Sequence, residues 1–315
     1  MARYIWQSTG WPDLAWDGGA LLGPLGRARH EQGRLAAMVA SLGLDLHAGT
    51  IADEAIGTAA IEGERLDPGS VRSSVARRLG LGDAGRAPSD PRVDGLVDML
   101  VDATSRHDEP LTARRLKSWQ AALFPTGRSG LREVIVGRWR EARMRVVSGP
   151  FGKERIHFEA PPAERVEPEM KGFLEWWRGP SRQGIDGLLR AGIAHLKFVT
   201  IHPFDDGNGR IARAITDMAL AQDERTGRRP YSMSARIVAE RKAYYGILES
   251  TQKGGMDVTP WLAWFLGCLE RSIRGSGQEV ARALAKARFW RAHEAADVSE
   301  RQRKVLNRLL DAGPG

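Results

Sequence analysis

His202–Arg213 reads HPFDDGNGRIAR, and the rhythm of this stretch decides how the chain folds around it. Upstream, Leu188, Leu189, Ile193, Leu196 and Val199 recur at helical spacing as far as Ile201. Pro203 disfavours helix at His202, so that helix must end there. Gly207 and Gly209 permit tight backbone geometry, and a new helix is expected from about Asn208, with Ile211, Ile215, Met218 and Ala219 on one face. The predicted unit is helix, glycine loop, helix N-terminus. Free backbone N–H groups and the positive end of the helix dipole then point into the loop and make an anion site. Arg210 and Arg213, three apart, lie on another face of the second helix, where two guanidinium groups suit a polyphosphate. Asp206 is placed to hold Mg²⁺, which binds through few carboxylates plus substrate phosphates. His202 is the one group of the segment that titrates near neutral pH, hence the candidate general base. Phe204 is expected to anchor the loop in the core.

Other anion and metal loops do not fit. The acidic residues do not alternate as an EF-hand loop requires, and no GxxxxGK[ST] occurs, since Gly149–Glu154 fails that pattern. Gly80–Gly85 matches GxGxxG, but a helical pattern precedes it and a loop follows, so it reads as a surface loop.

Outward from this centre, helical patterning dominates. The Trp-rich start (Trp6, Trp11, Trp16) reads as a packing surface, and a helix is expected from about Ala20. Ile51, Ala55, Thr58, Ala59 and Glu62 form a stripe that stops at Gly63, and Val93–Val101 forms another after Pro91. Residues 131–160 break the rhythm. Val134–Val136 is β-prone, and Met144–Val147 with Arg155–Phe158 reads as a small hairpin at about 144–158, closed by Pro161 and Pro162. Helical patterning is expected again from Pro168, and Pro260 is expected to start an apolar helix over Trp261–Ile273.

The chain has 315 residues, room for two or three domains, and its single cysteine, Cys268, forbids an internal disulfide. A cytoplasmic location is the expectation, with no membrane span, because no apolar run approaches the ~20 residues that a bilayer needs. The net charge of +8 mildly favours phosphate-bearing ligands, though Arg is spread through the whole chain.

The segment resembles the signature of the Fic family, H-x-F-x-[DE]-G-N-G-R-x-x-R, matched at His202, Phe204, Asp206, Gly207, Asn208, Gly209, Arg210 and Arg213. The resemblance implies a mainly α helical bundle with a β-hairpin flap, and transfer of AMP from ATP, with Mg²⁺, to a hydroxyl of a target protein. It implies that His202 deprotonates the target hydroxyl and Asp206 binds Mg²⁺. It also implies that the Gly207–Gly209 backbone and Asn208 form the anion hole, and that Arg210 and Arg213 hold phosphates. The 144–158 hairpin is similar to the family's flap, which aligns a Ser, Thr or Tyr target segment by strand addition. Thr58–Gly63 also fits the family's inhibitory-helix pattern [ST]-x-x-x-E-[GN], upstream of the signature. Glu62 is then expected to pair with Arg213 and restrain the enzyme. Tyr231–Ser234 and Arg241–Tyr245 are similar to one bacterial subgroup near where adenine would sit, which makes Tyr244 or Tyr245 a candidate wall for the base.

The expected division is 1–48, a Trp-rich helical domain; 49–275, the Fic-like domain with its inhibitory helix at about 50–63; and 276–315, a linker and an incomplete winged-helix-like segment. That tail is read as stopping before a recognition helix and wing, so DNA binding is not inferred from it. Two other functions stay open on the sequence: removal of AMP from a target on the same scaffold, and a nucleotide-sensing DNA-binding regulator. The oligomeric state, a homodimer included, also stays open.

Overall fold

The computed structural model describes residues 3–42, 46–81, 88, 90–149, 153–179, 184–294, 296 and 298–312. A short 3₁₀ turn, Ile5–Gln7, precedes α1 (Gly18–Leu42), α2 (His47–Ile61), α3 (Pro68–Arg78), α4 (Pro91–Ser105) and α5 (Ala113–Leu123). Two small antiparallel pairs follow, β1 (Arg128–Ser129) with β2 (Arg132–Glu133), and β3 (Arg145–Ser148) with β4 (Arg155–Glu159). The rest is helical: α6 (Ala163–Arg178), α7 (Gly187–Ile201), α8 (Asn208–Glu224), α9 (Met233–Ala239), α10 (Arg241–Gln252), α11 (Thr259–Ala292) and α12 (Glu300–Ala312). The fold is mainly α with one hairpin flap. None of the described helices is long and apolar enough to cross a membrane.

The centre of the bundle is α7 against α8, and both are buried nearly all round. Besides apolar side chains the pair buries polar groups, among them His195 on α7 and Arg210, Arg213 and Asp217 on α8. Around this pair, α2 contributes Ile51, Ala52, Ala55, Ala59 and Ile61 to the same core, α4 contributes Leu96, Val97 and Leu100, and α11 contributes Trp261, Phe265 and Leu269. Helix starts follow sequence chemistry: Asp67, Asp90, Thr112, Asp186 and Ser232 cap α3, α4, α5, α7 and α9 with side-chain oxygens.

Several expectations are corrected. Val134–Val136 is not a strand. Its backbone groups go to other partners: Val134 N–H to Gly127 O (3.0 Å), Ile135 N–H to the Asp205 carboxylate (3.2 Å), and Ile135 O to the Gln120 amide (3.2 Å). Helix resumes at Ala163, not Pro168; Pro168 lies within α6. The apolar helix expected to stop at Ile273 continues unbroken to Ala292, across the boundary expected at 275/276. Pro150–Gly152, within the span expected for the hairpin, and Gly82–Gly85 of the GxGxxG match lie outside the described residues.

Candidate active site

His202 is the residue on which α7 ends. Its backbone is left-handed (φ 51°, ψ 60°), an uncommon conformation for a side chain with a Cβ, and Pro203 prevents the helix from continuing. The imidazole Nδ1 lies 3.2 Å from Val199 O. A carbonyl only accepts, so Nδ1 carries the hydrogen and Nε2 carries the lone pair. Burial lowers the imidazole pKa to about 4, helped by the nearby Arg140 charge and opposed by the Val199 hydrogen bond and the Glu62 and Asp206 carboxylates. His202 is therefore neutral at pH 7, and among the described residues its basic nitrogen has no hydrogen-bond partner.

The loop that follows is locked from inside. Phe204 is fully buried and packs on Trp139 at 4.8 Å between ring centres. The Asn208 amide is also buried: its oxygen accepts the Phe204 N–H (3.0 Å) and its nitrogen donates to Phe204 O (2.8 Å). The Asn208 side chain thus closes the turn, and its backbone N–H is what remains for an anion. Gly207 takes φ 88°, which a Cβ would strain. The first helical bond of α8 runs from Ile211 N–H to Gly207 O (3.0 Å), so the N–H groups of 208–210 have no acceptor within the helix.

The two aspartates divide the work. Asp205 is a brace, accepting from Ile135 N–H (3.2 Å), while its carbonyl accepts from Arg132 (2.8 Å). Asp206 is partly open to solvent; it accepts the Gly207 N–H (2.6 Å) and lies 3.5 Å from Arg210.

Both arginines are buried, Arg210 at 6% and Arg213 at 2% exposure, so neither is a freely solvated surface cation. Arg210 stacks over Phe124 and lies 3.5 Å from Glu64. Arg213 donates through Nε to Thr58 Oγ1 (2.6 Å) and through Nη2 to Thr58 O (3.2 Å) and Glu62 Oε1 (2.6 Å). Burial works against the Arg213 charge, but Glu62 together with Tyr244 and Tyr245 more than offsets it and the pKa is raised. Among the described residues, Arg210 Nε and Arg213 Nη1 find no partner. Two buried donors without acceptors, beside a helix N-terminus, fit a phosphate-bearing ligand.

Glu62 caps the C-terminus of α2, and Gly63 turns the chain away at φ 86°. The Glu62 carboxylate also lies against the first turn of α8, where a Cβ on Gly209 would collide with it. It occupies the place that the helix N-terminus prepares for an anion. α2 itself is fixed: buried Glu54 accepts from Ser232 Oγ (2.5 Å) and from Ser234 N–H (3.1 Å) at the start of α9.

The two tyrosines differ. Tyr244 is buried. Thr216 donates to Ala212 O (2.9 Å) and accepts from His195 Nδ1 (3.0 Å), so His195 Nε2 accepts the Tyr244 hydroxyl (2.8 Å). Burial drives the His195 pKa down to about 3 and keeps this chain of bonds neutral. Tyr245 is the more exposed of the two, at 40%; Arg241 lies over its ring (5.6 Å), Tyr244 packs against it (5.2 Å between ring centres), and its hydroxyl donates to Ile61 O (3.2 Å) at the end of α2.

Residues 110–220 match the model of the Fic/DOC family. The chain carries a Fic domain. Residues 4–81 match a second model, a domain of unknown function, DUF4172, a span that includes α2. The chain is 34% identical over 111 residues to protein adenylyltransferase fic-1 of Caenorhabditis elegans, covering 35% of this chain and 20% of that protein. It is 33% identical over 114 residues to protein adenylyltransferase Fic of Nematostella vectensis, covering 36% of this chain and 25% of that one. The matches therefore span about a fifth to a quarter of these relatives. In three dimensions the chain is similar to a Fic family protein from Desulfovibrio desulfuricans, with TM-score 0.66, 21% identity, and coverage of 85% of this chain and 77% of that one. It is also similar to a Fic-domain protein from Bacteroides thetaiotaomicron, with TM-score 0.57, 16% identity, and coverage of 82% and 97%.

The flap of the Fic domain is the β3–β4 hairpin, in register Arg145↔Glu159 and Ser148↔Arg155, with an irregularity between Val146 and Val147. It is held on the β4 side. Tyr4 packs edge-on against Phe158, and Trp6 Nε1 donates to Glu159 O (2.8 Å), so the Trp-rich start serves as a backing for the flap. Glu249 of α10 accepts from His157 (2.6 Å) and Arg155 (3.0 Å). Burial works against the Glu249 charge, yet the donors Lys253, His157 and Arg155 pull its pKa to about 2. Among the described residues the outer edge of β3 has no strand partner.

Sequence reasoning passed over two features: the role of the Asn208 amide inside the loop, and Arg140, a buried arginine between the flap and the loop. In a chain with 47 Lys and Arg residues, a single Arg before a hairpin carries no signal.

Proposed function

We propose that the protein transfers AMP from ATP to a Ser, Thr or Tyr hydroxyl of a target protein, and that Glu62 restrains this activity at rest. The observation that carries the proposal is a neutral imidazole beside a helix N-terminus with two buried guanidinium N–H groups, where neither the imidazole Nε2 nor those N–H groups find a partner among the described residues. The names of the relatives from C. elegans and N. vectensis support the same activity.

In the proposed reaction, the target hydroxyl gives its proton to His202 Nε2 as its oxygen attacks the α-phosphorus. The bond from the α-phosphorus to the bridging oxygen breaks, and pyrophosphate leaves. The N–H groups of the first turn of α8, Arg210 and Arg213 hold phosphate oxygens and stabilise the charge that develops. Asp206 is the residue that would hold Mg²⁺, which would neutralise charge on the leaving phosphates. The Asp206 carboxylate is partly open to solvent, and Mg²⁺ takes most of its ligands from phosphate and water beside one or two carboxylates. The free edge of β3 is where a target strand would add, which would bring its hydroxyl toward His202. Of the two tyrosines, Tyr245 is the exposed one and would be the one to border adenine.

Glu62 opposes this chemistry in two ways. It ties up Arg213, and its carboxylate lies at the helix N-terminus where a phosphate would sit. The test is transfer of label from α-³²P-ATP to the protein or to lysate proteins, comparing wild type, Glu62→Gly and His202→Ala. Label should rise in Glu62→Gly and vanish in Glu62→Gly combined with His202→Ala; undiminished label in that double variant overturns the proposed mechanism.

A further inference from the structure

Arg140 lies between the flap and the catalytic loop, is 2% exposed, and has no carboxylate bonded to its guanidinium among the described residues. Every acceptor it meets is a backbone carbonyl. Nε donates to His202 O (2.8 Å), Nη1 to Ala142 O (2.9 Å), and Nη2 to Pro161 O (2.5 Å) and, more distantly, Ile201 O (3.5 Å). Its own backbone N–H donates to Pro203 O (2.9 Å). Ala142 lies just before β3 and Pro161 just after β4, so one planar fork joins both ends of the flap to the residues that end α7.

Burying a charge with no counter-ion is costly, and burial does lower the Arg140 pKa, with Asp205 and Glu164 acting from a distance to support the charge. Such an arrangement persists where the geometry it imposes matters. The carbonyls of Ile201 and His202 lie at the C-terminus of α7, where the helix leaves carbonyls without partners and a cation is favoured. The left-handed turn at His202 points these carbonyls at the flap base, and only a guanidinium presents enough donors in one plane to serve all of them.

We propose that Arg140 is the positioning residue of this site: its guanidinium fixes the distance and angle between the base of the flap and His202. This rests on the AMP-transfer proposal for the catalytic consequence, but not for the geometry. A target strand added to the flap is then registered against the imidazole by a rigid link, and the ATP cradle on α8 does not depend on it. Lysine keeps the charge and loses the fork, so Arg140→Lys is the informative change.

In the Glu62→Gly background, Arg140→Lys should lower kcat for AMP transfer about 100-fold, the scale of a 1 Å misplacement, while ATP affinity stays within about threefold. A folded Arg140→Lys variant with kcat within about twofold of its parent overturns the proposal. Hydrogen exchange in the ATP-free protein separates the two claims. Arg140→Lys should speed amide exchange in β3 and β4 and leave α8 unchanged; unchanged exchange in the flap overturns the positioning role even if the protein transfers no AMP. If Arg140→Lys does not fold, the wild type supplies the measurement. The Arg140 Nε–H and Nη–H protons should give separate, slowly exchanging NMR signals, and a single rapidly exchanging signal overturns the fork.

Discussion

The turn between α7 and α8 and the β3–β4 flap are neighbours in one site, yet they are built by opposite means. The turn lies in the middle of the core, where Phe204 and the Asn208 amide lock it and every side chain of α7 is buried. The flap is a two-stranded ribbon with mostly exposed residues in β3, held on one side by Tyr4, Trp6 and Glu249. A lone hairpin has marginal stability and needs such packing. The division suits the proposed chemistry: the group that transfers a proton must not move, whereas the surface that receives a partner must offer unpaired backbone groups. Changes in the turn should therefore alter chemistry, and changes in the flap should alter target recognition.

The largest effect that tests this contrast is His202→Ala. Loss of the base should reduce AMP transfer by about 10³-fold, within the range of general-base catalysis, with ATP affinity little changed by calorimetry. A variant that kept a tenth of the activity would move the base elsewhere. Glu62→Gly should act in the opposite direction, raising AMP transfer by about tenfold or more and tightening ATP binding, because Arg213 and the α8 N-terminus are both released. Thr58→Val should raise transfer less, since it removes one hydrogen bond to Arg213 and leaves the carboxylate in place.

A third effect concerns two histidines with depressed pKa values, His195 and His202. His195 and His202 have pKa values of about 3 and about 4 in the folded protein, below the unfolded value of 6.5, so as pH falls the unfolded chain takes up their protons first. Asp217, raised by burial to about 7, acts in the other direction by binding a proton in the folded state, which leaves a net difference of about one proton. Stability should thus fall between about pH 6.5 and pH 4, on the order of 1 kcal/mol per pH unit. Urea unfolding at several pH values measures this, and His195→Gln should flatten the slope. The smallest effect belongs to the flap. Glu249→Gln should cost about 1 kcal/mol or less in global stability, raise the KM for a target a few-fold, and leave ATP affinity unchanged. An equal loss in ATP binding would erase the distinction between the two regions.

The legible parts of the site are those fixed over short sequence distances. Pro203 after His202 announced the end of α7, Gly207 and Gly209 announced the turn, and the spacing of Thr58 and Glu62 put both on one helical face. The hairpin was legible from alternation and turn residues, but Val134–Val136 was not, because its backbone bonds go to Gly127, Asp205 and Gln120 rather than to a strand. β-propensity describes a residue's fit to a pleated surface, and here no such surface was offered. Pro168 within α6 shows the same limit from the helical side: packing of Val166, Met170 and Phe173 overrides a local breaker near the start of the helix.

By itself, the sequence determined a helix–glycine loop–helix unit with a histidine, a carboxylate and two arginines in fixed order, because backbone sterics and helical periodicity act between near neighbours. The tertiary structure decided what faces that unit. It set Glu62 of α2, 151 positions away, within 2.6 Å of Arg213, and it sank both arginines into the core. It also drove the His202 pKa down to about 4 and placed Arg140 between the flap and His202. Burial, charge pairing and desolvation depend on which distant segments pack together, and no local pattern carries that information.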